Sequence, residues 1–263
     1  MTYFGFLIRF LGIPIAILAV VAYLDGRRGR AIPPNLAHWP FAAAVGLHIL
    51  VAVVYTTPWD NYLVATGVWY YNPALVTGIT LGWVPIEEYT FFVVQTILAG
   101  LWMLFLMRRL RLEGPFSPLS ARWRWVPALL LAPVWLISIV VLLSGWAPGT
   151  YLGLELAWAL LPILIQTGFG GDILRRYGRL VVLSILGMTA YLSAADYVAI
   201  GSGTWAISPE HSVNSLIGGV LPLEEVVFFL LTNTLITFGV VLVISQEAQA
   251  RIRELWKRLR AKK

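Results

Sequence analysis

Twice the chain sets two adjacent carboxylic acids behind a proline and ahead of a phenylalanine pair, as Pro85-Ile86-Glu87-Glu88-Tyr89-Thr90-Phe91-Phe92 and as Pro222-Leu223-Glu224-Glu225-Val226-Val227-Phe228-Phe229. Carboxyl groups deliver and remove protons, and both pairs lie in long apolar runs. An ionised acid at membrane depth costs roughly 2.5–3.5 kcal/mol on insertion scales and faces a bundle interior or a cavity rather than lipid. Among apolar neighbours a carboxyl group can hold a proton at neutral pH and hand it on. Glu87, Glu88, Glu224 and Glu225 are therefore candidate general acids and bases in a lipid-lined cavity. The same pattern also reads as a plain helix start, with proline first and acids in the first turn. Duplication inside two apolar runs favours chemistry.

In a helix Glu87 and Glu88 point about 100° apart, so one shares a face with Phe91 and the other with Phe92 and Gln95. Phe91, Phe92, Phe228 and Phe229 place aromatic faces beside the acids, while Gln95, Thr232 and Asn233 carry polar character further along. Asp60 and Asp196 follow the second and sixth apolar segments, where an Asp is a helix cap or a site residue. Trp69 and Trp205 read as interfacial aromatics or as site residues. Glu155 reads as a snorkelling or helix-start acid, and His48 and His211 as structural residues without partners at metal-ligand spacing. No metal site is expected. Nor is a cofactor, since neither a Gly-x-Gly-x-x-Gly turn nor a P-loop occurs and cysteine is absent.

These residues must be positioned by membrane helices. The 263 residues are 59% hydrophobic and 12% charged, and seven apolar segments stand out at about 3–24, 39–57, 74–107, 125–144, 151–167, 180–198 and 214–245. The third, at about 51 Å as a straight helix, is too long for a bilayer core of about 30 Å, so it must bend at Pro85 or start late. The net charge of +6 comes from arginines concentrated in alternate loops: Arg27, Arg28 and Arg30; Arg108, Arg109, Arg111, Arg122 and Arg124; Arg175, Arg176 and Arg179; and the tail. That alternation sets orientation in a cell membrane, N-terminus outside and C-terminus cytoplasmic, and implies no nucleic-acid partner. In the tail, Ile252, Leu255, Trp256 and Leu259 recur at helical spacing among basic residues, the pattern of an amphipathic surface helix.

The duplication is wider than the acids. A shift of about 136 residues aligns Tyr55, Asp60 and Trp69 with Tyr191, Asp196 and Trp205, one inserted residue brings the acidic motifs into register, and a shift of about 148 aligns Tyr3 and Pro14 with Tyr151 and Pro162. Spans 1–3 match spans 5–7 and span 4 is left as a connector. Three spans are odd in number, so the extra span makes the two copies parallel, with both motifs at one depth and able to face each other. The expected fold is an all-α integral membrane protein of seven helices in a 3+1+3 arrangement. Its divisions are residues 1–110 (first repeat), 111–148 (loop and linker span), 149–245 (second repeat) and 246–263 (tail).

At Pro85/Glu87/Glu88 and Pro222/Glu224/Glu225, and in the 3+1+3 layout, the chain resembles the non-flavin membrane lycopene cyclases of heterodimeric type and their fused relatives. The resemblance implies a carotenoid-biosynthesis enzyme, an intramolecular lyase or isomerase of the lycopene beta-cyclase type. It would close the acyclic ends of lycopene, or a related polyene, to ionone rings without net redox change or cofactor. An acid protonates the terminal double bond, the next double bond attacks the cation, and a base removes a proton. Phe91, Phe92, Phe228 and Phe229 with a second carboxylate would then stabilise the cation. Expected partners are the membrane-dissolved polyene and the bilayer, with room for a homo-oligomer or contact with other carotenoid enzymes. The competing reading is a 3+1+3 small-solute or proton-coupled transporter, and a third is an assembly factor with structural acids.

The absence of cysteine makes the orientation directly testable. Asn72→Cys is expected to label only from outside the cell and Ser117→Cys only from inside; the opposite pattern inverts the orientation.

Overall fold

The computed structural model describes residues 1–112 and 119–261. The position Ser117 and part of the loop read as joining spans three and four lie outside the described residues. Apolar runs that cannot hydrogen-bond to lipid must satisfy their own backbone, and they do so as helices: α1 Tyr3–Arg27, α2 Phe41–Ala65, α3 Ile86–Met107, α4 Arg122–Ser144, α5 Thr150–Arg176, α6 Gly178–Gly201 and α7 Leu223–Ile244. Among the described residues these are seven helices long and apolar enough to cross a membrane. α1 includes a π-helical turn, Leu7–Gly12. α3 and α7 are the most buried spans, α1 and α2 pack on α3, α6 packs on α7, and α4 lies at the periphery along α5.

The long third and seventh segments start late instead of kinking. Pro85 and Pro222 sit in extended backbone as N-caps, and the helices begin at Ile86 and Leu223. Upstream, Gly78, Gly82, Gly218 and Gly219 take positive φ, which a continuing helix cannot accommodate. The chain there turns into two hairpins, β2 Thr80–Leu81 with β3 Val84–Pro85 and β5 Leu216–Ile217 with β6 Leu221–Pro222. What remains, 22 residues each, is about 33 Å of helix, the thickness of a bilayer core. The fifth segment is longer than its apolar run. α5 bends at Gly170 (φ −141°, ψ 22°) and continues to Arg176, so Arg175 and Arg176 end a helix rather than sit in a loop.

Contacts recur at the shifts seen in the sequence. The Tyr3 amide donates to the Leu75 carbonyl and the Tyr151 amide to that of His211. The Tyr55 phenol donates to the Trp158 carbonyl at 2.9 Å and the Tyr191 phenol to that of Phe10 at 2.8 Å. β1 Trp69–Tyr71 pairs antiparallel with β4 Trp205–Ile207, and Tyr70 lies opposite Ala206, its counterpart at a shift of 136. Each of these joins groups far apart in sequence.

Basic residues gather at the end opposite these strands. Arg109 and Arg30 pair with the buried Asp25, and α8, Gln246–Arg260, is tied down by Arg251 to Asp172 (2.6 Å) and by Glu247 to Arg176 (2.8 Å). Its Leu255, Trp256 and Leu259 remain exposed, an apolar face suited to a membrane surface. Asp172 is only 3% exposed, so Arg251→Met would strand a buried carboxylate. We expect this to lower unfolding stability by on the order of 3 kcal/mol in denaturant titration of the detergent-solubilised protein. An unchanged midpoint would show that the ion pair does not hold α8.

Candidate active site

The first turns of α3 and α7 lie side by side under the β1–β4 pair, and between them is a cavity of about 30 Å³, room for about one water. Glu88 and Glu225 line it together with Asp196, and its remaining walls are aromatic: Tyr3, Phe6, Trp69, Tyr71, Phe91, Trp205, Phe228 and Phe229. Residues from both halves of the chain thus meet in one small, buried space.

The two glutamates of each motif do different things because adjacent helical positions point apart. Glu87 and Glu224 turn back to the loops before their helices, where Oε1 of Glu87 accepts the Thr77 amide at 2.6 Å and Oε1 of Glu224 accepts the Val213 amide at 2.7 Å and the Ser212 hydroxyl at 2.8 Å. They brace the loop that precedes their own helix. Glu88 and Glu225 turn inward. Oε2 of Glu88 accepts two phenols, Tyr3 at 2.5 Å and Tyr71 at 3.0 Å. Oε1 of Glu225 accepts the Tyr151 phenol at 2.8 Å, and Asp196 lines the same cavity. The Trp205 indole holds Asp196 at 2.9 Å. Burial, with the nearby Asp60 and Glu88 carboxylates, pushes the Tyr71 phenol well above its ordinary pKa, which keeps it a hydrogen-bond donor.

Aromatic faces enclose these acids. Phe228 and Phe229 have ring centroids 5.4 Å apart, Phe91 and Phe229 are 6.4 Å apart across the two helices, and Trp69 meets Phe228 edge-on at 5.9 Å. Such a lining offers π-electron density to a cation while excluding water.

Not every sequence candidate arrives here. Phe92 and Gln95 line a neighbouring groove of about 210 Å³, where Gln95 reaches Thr232 at 3.2 Å. Asn233 is buried but donates to the Phe229 carbonyl of its own helix, outside both cavities. Asp60 is fully buried close to Glu88, outside the cavity wall. Trp69 and Trp205 are walls of the cavity rather than interfacial aromatics. Glu155, read as a snorkelling or helix-start acid, is fully buried one turn along α5 from Tyr151, whose amide bonds the His211 carbonyl of a loop distant in sequence. The three phenols that hold the acids were missed. Tyr3 and Tyr151 were already aligned by the repeat, which was a usable signal; Tyr71 has Ile207 as its counterpart and gave none.

Lycopene beta-cyclase from Halobacterium salinarum is 38% identical over 243 residues, covering 92% of this chain and 95% of its own. The bifunctional lycopene cyclase/phytoene synthase of Podospora anserina is 35% identical over 240 residues, and that of Colletotrichum graminicola 38% over 199 residues. These alignments cover 86% and 73% of this chain but only 38% and 34% of those longer proteins. No family model and no solved structure matches. With relatives this similar along nearly its whole length, the chain belongs to the membrane lycopene cyclase family.

Proposed function

We propose that the chain cyclises the acyclic ends of lycopene, or of a closely related polyene, in a single site built by both motifs. The observation that carries this is the shared cavity of Glu88, Asp196 and Glu225 within an aromatic shell. In this mechanism a protonated Glu225, with Asp196 beside it on the cavity wall, donates its proton to C2 of the terminal C1=C2 double bond. The C5=C6 double bond attacks the resulting tertiary cation at C1. Glu88, set as an acceptor by two phenols, stabilises the cation at C5 and removes the C6 proton, or an equivalent neighbouring one, to leave the ring alkene. The proton taken up equals the proton given, so no oxidant, reductant or cofactor is consumed. Phe91, Phe228, Phe229, Trp69 and Trp205 stabilise the cation and keep out the water that would trap it as an alcohol. Glu87 and Glu224 act by position, through the loop amides they hold.

The relatives' names favour this reading over transport, as does a lining that is mostly aromatic. The matched contacts support two parallel three-helix halves joined by α4, with the divisions near residues 110, 148 and 245. The gathering of arginines at one end supports that end as cytoplasmic and the motif end as outward-facing. The expected partners are the polyene and the bilayer; a homo-oligomer or contact with other carotenoid enzymes stays open to test.

The reading is tested in a lycopene-accumulating host with matched protein levels. Glu88→Gln and Glu225→Gln keep shape and should each lower cyclisation of both ends by roughly 100- to 10,000-fold. Glu87→Gln still accepts the Thr77 amide and should stay within roughly tenfold of the parent. Cyclisation of one end at the parent rate by each cavity variant would replace one composite site by two independent ones, and full cyclisation by either would remove that residue from catalysis.

Trp205→Ala should admit water beside Asp196. A hydrated, alcohol-bearing side product is expected alongside the cyclic one, detectable by mass spectrometry as a gain of one water. A clean hydrocarbon profile at normal rate would show that Trp205 does not shield the cation.

A further inference from the structure

The acid cavity, with room for about one water, cannot house a polyene, so the rest of the substrate must lie elsewhere. Two apolar grooves are large enough to matter. The larger, about 920 Å³ between α4, α5, α6 and α7, includes none of the cavity residues. The other, about 210 Å³ between α2, α3, α5 and α7, shares Phe228 with the acid cavity.

This second groove leads to the acids along a stack of rings. Tyr55 lies on Trp158 (5.5 Å, 20°), Trp158 on Trp59 (4.7 Å, 19°), and Trp59 on Phe228 (5.9 Å, 2°). Tyr55, Trp158 and Phe228 line the groove and Trp59 joins Trp158 to Phe228, so an aromatic surface runs from Tyr55, which is 40% exposed, to the cavity wall. Flat conjugated hydrocarbon is the ligand chemistry that such a surface fits.

The opposite side of the bundle lacks it. At the shifts that align the two halves, Tyr55, Trp158, Trp59 and Phe228 correspond to Tyr191, Phe10, Ala195 and Phe91, so an alanine breaks the stack. Val51, on the groove wall, corresponds to Gly187, and the Trp102 indole lies over that glycine, 3.1 Å from where a Cβ would stand, with its N–H on the Leu183 carbonyl at 3.2 Å. The counterpart of Trp102 is Gly239, which leaves its place to His48 on the groove wall. One side is ribbed with aromatic rings; on the other, Trp102 fills the corresponding place.

We infer that the polyene chain of the substrate binds in the groove of α2, α3, α5 and α7, lies along the Tyr55–Trp158–Trp59–Phe228 stack, and presents one end at a time to the acids. This rests on the cyclase reading and adds a single approach: a second ring on the same molecule requires release and rebinding end-for-end.

The test uses the full-length protein in lipid nanodiscs and its natural freedom from cysteine. Ala52→Cys, on the groove wall, and Leu186→Cys, on the wall of the larger groove, are each modified with an aromatic maleimide after folding, with stoichiometry checked by mass spectrometry. Lycopene binding is read from quenching of tryptophan fluorescence, and cyclisation from pigment analysis. Modification of Ala52→Cys is expected to reduce both by roughly tenfold or more, while modified Leu186→Cys keeps both within about twofold of its unmodified form. Trp59→Leu should weaken quenching and raise KM with kcat little changed. Unimpaired binding after modification at Ala52→Cys, or lost binding after modification at Leu186→Cys, overturns the groove assignment. Binding that is lost at Ala52→Cys in a protein that binds lycopene but never cyclises it would leave the groove standing and reject the cyclase reading.

Discussion

A carboxyl group taken out of water must find donors or share a proton, and the arrangement around Glu88 and Glu225 is set by that requirement. Two phenols answer it for Glu88, and a third answers it for Glu225. The donors come from distant parts of the chain, so satisfying the acids fixes α1 against α3 and α5 against α7. Polar satisfaction and assembly of the bundle are one event.

The late start of α3 and α7 serves the same end. Had either continued upstream as helix, the glutamates would have stood in mid-span with no loop amides nearby. Proline ends the strand and starts the helix, and the left-handed glycines before it bring Thr77 and Val213 within reach of Glu87 and Glu224. One glutamate of each pair thereby sets the helix start, and with it the direction in which its neighbour points. The doubled acid of the motif thus sends one carboxyl to the loop and the other to the cavity.

Apolar runs and arginine placement were legible in the sequence because both are local properties of the chain. The duplication was legible too, and the Tyr55 and Tyr191 contacts recur at its shifts, although which helices they join, α2 with α5 and α6 with α1, was not. What depended on side-chain direction was not legible. Asn233 has the same composition signal as Gln95, yet its amide returns to its own helix. Glu155 stands near a helix end and looked solvated, but it is fully buried, one turn from Tyr151, which a loop distant in sequence bonds. Tyr71 lies in a three-residue strand whose pairing partner is more than a hundred residues away, too short and too remote for a periodic pattern to announce.

The β1–β4 pair carries a further consequence. Its central residues, Tyr70 and Ala206, are counterparts of each other, so the seam has the self-matching form of a symmetric dimer interface. On the reading of two joined halves, α4 packs outside that seam and serves chiefly to return the chain to the starting side of the bilayer. A dimer of separate halves would assemble only as its abundance in the membrane allowed. Covalent linkage turns that encounter into an intramolecular one at fixed effective concentration, so the composite site forms equally well in a cell that makes very little of the protein.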